Sequence, residues 1–154
     1  MNETSCNLQL IGSFPAARTD ELFNLLSKYR AEICDYVTEK ELFLQGKRID
    51  FYFDIVVDGK IPEEIHNFLS DLNTGYCWWW DTDFNLPGGE VILDATTGVS
   101  KTYFCNNGQI CLTLEEINNP EVVKEANYYN NYIQNTGLFI YNSNHELLEK
   151  MKEK

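Results

Sequence analysis

Polar and apolar residues alternate along "CNLQLIGS" (6–13), Leu8 and Leu10 against Asn7 and Gln9, and a period of two predicts a strand. After Pro15 the period lengthens. In 18–30, Leu22, Leu25, Leu26 and Tyr29 form one stripe at helical spacing, with Thr19 placed to cap and Asp20 and Glu21 near the positive end of the dipole. The segment 31–45 fits neither period cleanly and is read as a strand, with Gly46-Lys47 as a turn. The clearest strand is 48–59: Phe51, Phe53, Ile55 and Val57 fall on one face, and Asp50, Tyr52, Asp54, Val56 and Asp58 on the other. In 61–72, Ile61, Ile65, Phe68, Leu69 and Leu72 make a second helical stripe behind Pro62, Glu63 and Glu64. Residues 75–83, "GYCWWWDTD", read as a strand of aromatics.

Strand, helix, strand, strand, helix, strand is the ferredoxin-like βαββαβ order, which packs two helices on one face of a four-stranded sheet. The expectation is an α+β fold in one compact domain, 1–154. Its ferredoxin-like part covers 1–84 (the unit itself about 5–84), and 85–154 extends it. In that extension 90–98 and 100–114 suggest strands, with Asn107-Gly108 as a hairpin turn. A helix follows at 119–134, capped by Asn119 with Pro120 at its first position, then a short strand at 136–142 and a closing helix at 143–154.

The three tryptophans of the chain are consecutive, Trp78, Trp79 and Trp80. On a strand Tyr76, Trp78 and Trp80 share one face, while Cys77, Trp79, Asp81 and Asp83 share the other. One face packs on the helices. The other is either covered by the C-terminal elements or leaves an indole beside carboxylates. If it is open, it carries Asn7, Gln9, Tyr52, Asp54 and Asp58 together with Trp79, Asp81 and Asp83.

Charge changes this picture most. The formal net charge is −12. Between Ile61 and Glu149 the only cations are Lys101 and Lys124, and no Lys or Arg occurs from Ile61 to Ser100. Phosphate contacts need clustered Lys and Arg, so direct binding to nucleic acid is not expected. Apolar residues make up 44% of the chain, too many for a disordered segment. No apolar run approaches the ~20 residues that span a bilayer, and the N-terminus lacks the pattern of a secretory signal. A cytoplasmic location with five reduced cysteines is the resulting expectation.

Candidate chemistry is sparse. His66 and His145 lack a metalloprotease context and read as structural or exposed. Cys105 and Cys111 flank the "NNGQ" turn with no C-x-x-C, and read as small buried hydrophobes. With a two-residue turn their sulfurs point to opposite faces, and with a three-residue turn they stand opposite each other. Asp81, Asp83 and Asn85 begin a calcium-loop pattern, which fails where Leu86 replaces the glycine and Ile92 the final glutamate. "LPGG" (86–89) reads as a turn. No cofactor and no metal site are expected.

Three functions compete. The preferred one is a non-enzymatic acidic inhibitor that engages a basic protein surface through Tyr52, Asp54, Asp58, Trp79, Asp81, Asp83 and Glu90. The partner would be a nucleic-acid-binding defence enzyme, whose DNA the acidic surface mimics, or a toxin held by its immunity protein; a homodimer is also compatible. Trp and Tyr anchors beside acids suit such an interface. The second is a small metal-dependent hydrolase built on Asp54, Asp81 and Asp83. The third is a ligand-binding or assembly module that stacks sugars or bases on the indoles.

Overall fold

The computed structural model describes residues 3–81, 88–106 and 109–152. Strand β1 (Glu3–Pro15) leads through a short 3-10 turn into helix α1 (Thr19–Lys28), and helix α2 (Tyr36–Leu44) precedes β2 (Asp50–Val57). Helix α3 (Glu63–Asp71) connects to β3 (Gly75–Trp80), followed by β4 (Gly89–Asp94), β5 (Val99–Asn106) and β6 (Gln109–Cys111). Then come a short helix α4 (Leu114–Ile117), the long α5 (Pro120–Asn135), β7 (Leu138–Tyr141) and α6 (Asn144–Lys152). The chain is α+β. Its sheet runs β2-β1-β3-β4-β5-β6 with antiparallel neighbours throughout, and β7 joins parallel to β1 along Gly12–Pro15.

The expected strand at 31–45 is absent; helix α2 forms there instead. Asp35 caps it, accepting from the Thr38 backbone N–H at 3.3 Å and the Thr38 hydroxyl at 2.9 Å. Phe43 is the only buried residue of the helix, and its other ties to α1 are partly exposed (the Tyr36 ring on Phe23, and Tyr36 and Lys40 on Asp20), so no apolar stripe marks it in the sequence. Beside β2 the chain makes a single bridge, Ala31 to Phe53, and Glu32 N–H donates to the Tyr52 carbonyl at 2.8 Å. Three of the four strands of the expected βαββαβ unit lie together as β2-β1-β3, and the fourth is replaced by α2. Thr19 also differs from expectation: it is buried inside α1, its hydroxyl donating to the Ala16 carbonyl at 2.7 Å, and Arg18 takes the capping position.

Strand β2 departs from simple alternation. Its register against β1 shifts between Thr4/Val56 and Cys6/Phe53, so Asp54 and Ile55 add one residue to β2 there, a β-bulge. Phe51 and Phe53 are buried as expected. Beyond the bulge the faces exchange: Val56 packs on the core, while Ile55 and Val57 are exposed.

Two apolar clusters lie on opposite faces of the sheet. The larger sets Leu8, Leu10, Phe51, Phe53, Tyr76 and Trp78 against Leu22, Phe23 and Leu26 of α1, Phe43 of α2, and Ile65 and Leu69 of α3. Trp78 is fully buried there and its indole N–H donates to the Gly59 carbonyl at 2.7 Å. Trp80 lies over Gly59, where a Cβ would sit 2.9 Å from Trp80 Cγ, and Gly59 has φ of +64°. A side chain at that turn would be strained and would collide with the indole. The smaller cluster, Ile11, Cys77, Ile92 and Tyr129, lies under α5. Asn119 caps α5 through the Glu121 N–H at 3.1 Å, with Pro120 first, as the sequence implies. Among the described residues no helix is long and apolar enough to cross a membrane.

Because Phe43 is the one buried anchor of α2, Phe43→Ala costs about 3–5 kcal/mol in urea denaturation. Exposed Leu44→Ala should stay within about 0.5 kcal/mol. Comparable losses for the two would contradict the role of Phe43 as the buried anchor.

Candidate functional site

The two faces of the sheet are covered unequally. Helices α1, α2 and α3 cover one face. On the other, α5 docks through buried Ala126 and Tyr129. Polar ties hold it: Tyr128 donates to Asp94 Oδ2 at 2.8 Å, Tyr103 donates to Glu125, and Asn130 Oδ1 accepts from Ile110 N–H at 3.4 Å. Hydrogen bonding to Asp94 pushes the Tyr128 phenol up to about 12, so it stays a donor across the physiological range. These contacts fall on β4, β5 and β6, and the cluster beneath reaches β3 and Ile11 of β1.

Beyond Ile11, toward β2, the same face is polar. β1 contributes Ser5, Asn7 and Gln9, all half-buried; β2 contributes exposed Asp50, Tyr52 and Asp54. An antiparallel sheet tolerates one wetted face, and these residue types suit it. Tyr52 is 38% exposed, and its hydroxyl donates to Ser5 Oγ at 2.9 Å and lies 3.4 Å from Asp54 Oδ1. The hydroxyl of Ser5 in turn donates to the Asp54 carbonyl at 3.2 Å. Beside β1 stands Trp79, partly buried against the cluster under α5. On the far side of Tyr52 a cavity of about 330 Å³ opens toward α2; Arg48, which lines it, is ion-paired to Glu39 at 2.7 Å.

The expected site residues divide into three groups. Tyr52 and Asp54 meet on the open face. Asp81 and Asp58 are exposed at the sheet end where β1 begins and β2 and β3 finish. Asp81 N–H donates to the Ser5 carbonyl at 3.1 Å, and Asp58 sits in a turn with φ of +55°. Asp83 lies outside the described residues, as do Asn85, Leu86 and the Asn107-Gly108 turn. Glu90 is the exception. It is 1% exposed, so its carboxyl does not belong to a docking surface. Alternation places it on the same face as Ile92, opposite Trp79 and Tyr103 in the neighbouring strands, and α5 covers that part of the sheet.

Among the described residues no group of three His, Cys, Asp or Glu side chains could hold a metal ion. His66 Nδ1 is 2.8 Å from the Tyr76 hydroxyl, and His145 is exposed near Glu149. Cys105 pairs with Ile110 and Phe104 with Cys111, the register of a two-residue turn, so the two sulfurs point to opposite faces. Cys111 is exposed rather than buried, and so is Cys34; Cys6 and Cys77 are the buried thiols, and burial pushes Cys6 up to about 12. Ser5 and Asp50 complete the open face without having been singled out as partner contacts. Their signal was present in the alternation of Ser5 with Asn7 and of Asp50 with Tyr52.

No family model matches the chain, and no curated protein or solved structure matches it either.

The buried Glu90 makes a pH prediction. Its Oε2 accepts from Cys77 Sγ at 3.3 Å, but its Oε1 has no hydrogen-bond partner. Burial raises its pKa, with the Cys77 bond opposing. An acid whose folded pKa is raised imposes no cost while protonated, and destabilises the fold as pH climbs from the ordinary carboxylate range through the raised value. Glu90→Gln should therefore be more stable than wild type at neutral pH and converge with it at acidic pH. The gap should grow by up to about 1.4 kcal/mol per pH unit within that window. Urea unfolding across pH measures it; a constant gap would contradict the assignment.

Proposed function

We propose that this protein is a non-enzymatic acidic binding protein whose open β1–β2 face and adjoining sheet end dock on a basic protein surface. The observation that carries this reading is the composition of that half-face. Asp50, Tyr52, Asp54, Ser5, Asn7, Gln9 and Trp79 meet there without a lysine or arginine among them, and Asp81 stands at its end. An aromatic pair supplies contact area, and free carboxylates receive cations and steer the encounter. The chain-wide charge of −12 adds long-range attraction for a cationic partner and repulsion of nucleic acid. A blocker of a nucleic-acid-binding enzyme, acting as a mimic of its charged ligand, and an immunity protein against a basic toxin are two forms of the same physics.

Binding through this face is salt-dependent and local. The Asp50→Lys/Asp54→Lys double variant should lose the salt-sensitive basic partner that wild type retains in a pull-down. Glu63→Lys/Asp71→Lys, with the same change in net charge but on α3, should keep it. Equal retention by both double variants, or a partner whose binding ignores salt, would contradict the reading.

A further inference from the structure

Glu90 sits beneath α5 in surroundings that suit a neutral carboxyl and not a carboxylate. It is 1% exposed, its Oε2 accepts from the Cys77 thiol at 3.3 Å, and its Oε1 has no hydrogen-bond partner. Facing it are Cys77 and Trp79 of β3, Tyr103 and Cys105 of β5, and Tyr129 of α5, with Glu125 of α5 reached through Tyr103. Further along β4 lies Asp94, held by Tyr128 and the Thr96 N–H. Lys101 is the one lysine or arginine of β3, β4 and β5, and it is paired with Glu125 at 3.5 Å; Lys124 of α5 is exposed. Among the described residues, therefore, no cation stands against the Glu90 carboxyl. Ionising a buried, unpaired carboxyl is costly, and access to water removes the cost.

Two kinds of bond surround Glu90. Backbone ladders hold β3 to β4 and β4 to β5. Side chains hold α5: Tyr103 to Glu125, Tyr128 to Asp94, Asn130 to the Ile110 N–H, and Tyr132 to the Ala95 N–H at 3.4 Å. An ionised Glu90 also adds a second negative charge beside the Tyr103 phenol, which already donates to Glu125. The helix is thus the element that yields. The main core lies on the opposite face, under α1, α2 and α3, so α5 can leave without it.

We propose that Glu90 is a pH-operated latch for α5: protonated, it stays closed beneath the helix; ionised, it drives the helix off the sheet while the main core stays folded. Burial raises the Glu90 pKa, so opening grows as pH climbs from the ordinary carboxylate range through the raised value, and levels off above it. The other buried acids of the interface stay protonated through that window. Hydrogen bonding to Asp94 holds Tyr128 up at about 12, and burial pushes Tyr103, Tyr129, Tyr132 and Cys77 upward as well.

The chain's own cysteines read the latch. Cys77 is buried in the cluster under α5, Cys6 is buried in the main core, and Cys34 is exposed. Dilute N-ethylmaleimide labels each thiol as its cover opens, and peptide mass spectrometry follows the three between about pH 5 and pH 8. Dividing each rate by that of Cys34 removes the ordinary titration of a thiol. Cys77 should react at least about tenfold faster than Cys6 at every pH, because α5 opens without global unfolding. Its corrected rate should climb by up to about tenfold per pH unit within the window. Glu90→Gln should abolish the climb. Glu125→Gln, which keeps an acceptor for Tyr103, should preserve it. Equal rates for Cys77 and Cys6 overturn the latch, since Glu90 would then meet water only when the whole chain unfolds. So does a corrected Cys77 rate that is flat with pH in wild type, a climb that survives in Glu90→Gln, or one that disappears in Glu125→Gln.

Discussion

Everything on the outer face of this protein depends on how far α5 reaches across the sheet. The helix is tied to β4, β5 and β6 by Tyr128–Asp94, Tyr103–Glu125 and Asn130–Ile110, and its Tyr129 packs in the cluster with Ile11, Cys77 and Ile92. Its cover ends at Ile11 of β1. Where α5 covers the sheet, the residues are apolar or tied internally, Tyr128 to Asp94 and Cys77 to Oε2 of Glu90, whose Oε1 is left without a hydrogen-bond partner. Where the cover ends, the same rows continue as Gln9, Asp50, Asn7 and Tyr52. Apart from Glu90, the polarity of these rows follows the boundary of the helix, because burying a polar group is costly unless it finds a partner.

Much of this was legible in the chain. The faces of the tryptophan strand follow from alternation: Tyr76 and Trp78 are in the main core, and Cys77 and Trp79 are on the outer side. Helices α1 and α3 announced themselves through their apolar stripes, and α5 through Asn119 and Pro120 at its start. Three features did not. Helix α2 buries only Phe43, so its period is invisible and its identity rests on the local cap at Asp35. The bulge at Asp54 and Ile55 adds one residue to β2 and reverses the faces of Val56 and Val57, a change that pairing with β1 imposes and β2 alone does not encode. Glu90 reads as a surface acid until the neighbouring strands and α5 are assembled around it. Long-range pairing decided each case in which local pattern misled, apart from α2.

The acidic charge is distributed by the same division. Glu90 is withdrawn from water, and Asp94 is held by the Thr96 N–H at 2.9 Å and by Tyr128. The acids of the open half, Asp50 and Asp54, face solvent, and Arg48, which lines the cavity beside Tyr52, is ion-paired to Glu39. Like charges left unpaired on a compact chain repel one another and reduce stability. In the docking proposed above, a basic partner relieves that repulsion on binding.

The central claim is that α5 covers only half of the outer face. Hydroxyl-radical footprinting read by mass spectrometry measures this directly, residue by residue. The account predicts that Tyr52 is oxidised readily in the folded protein, while Tyr129 beneath α5 and Tyr76 in the main core are protected until the chain unfolds. Protection of Tyr52 equal to that of Tyr129 would mean that the face is closed, and would contradict the account.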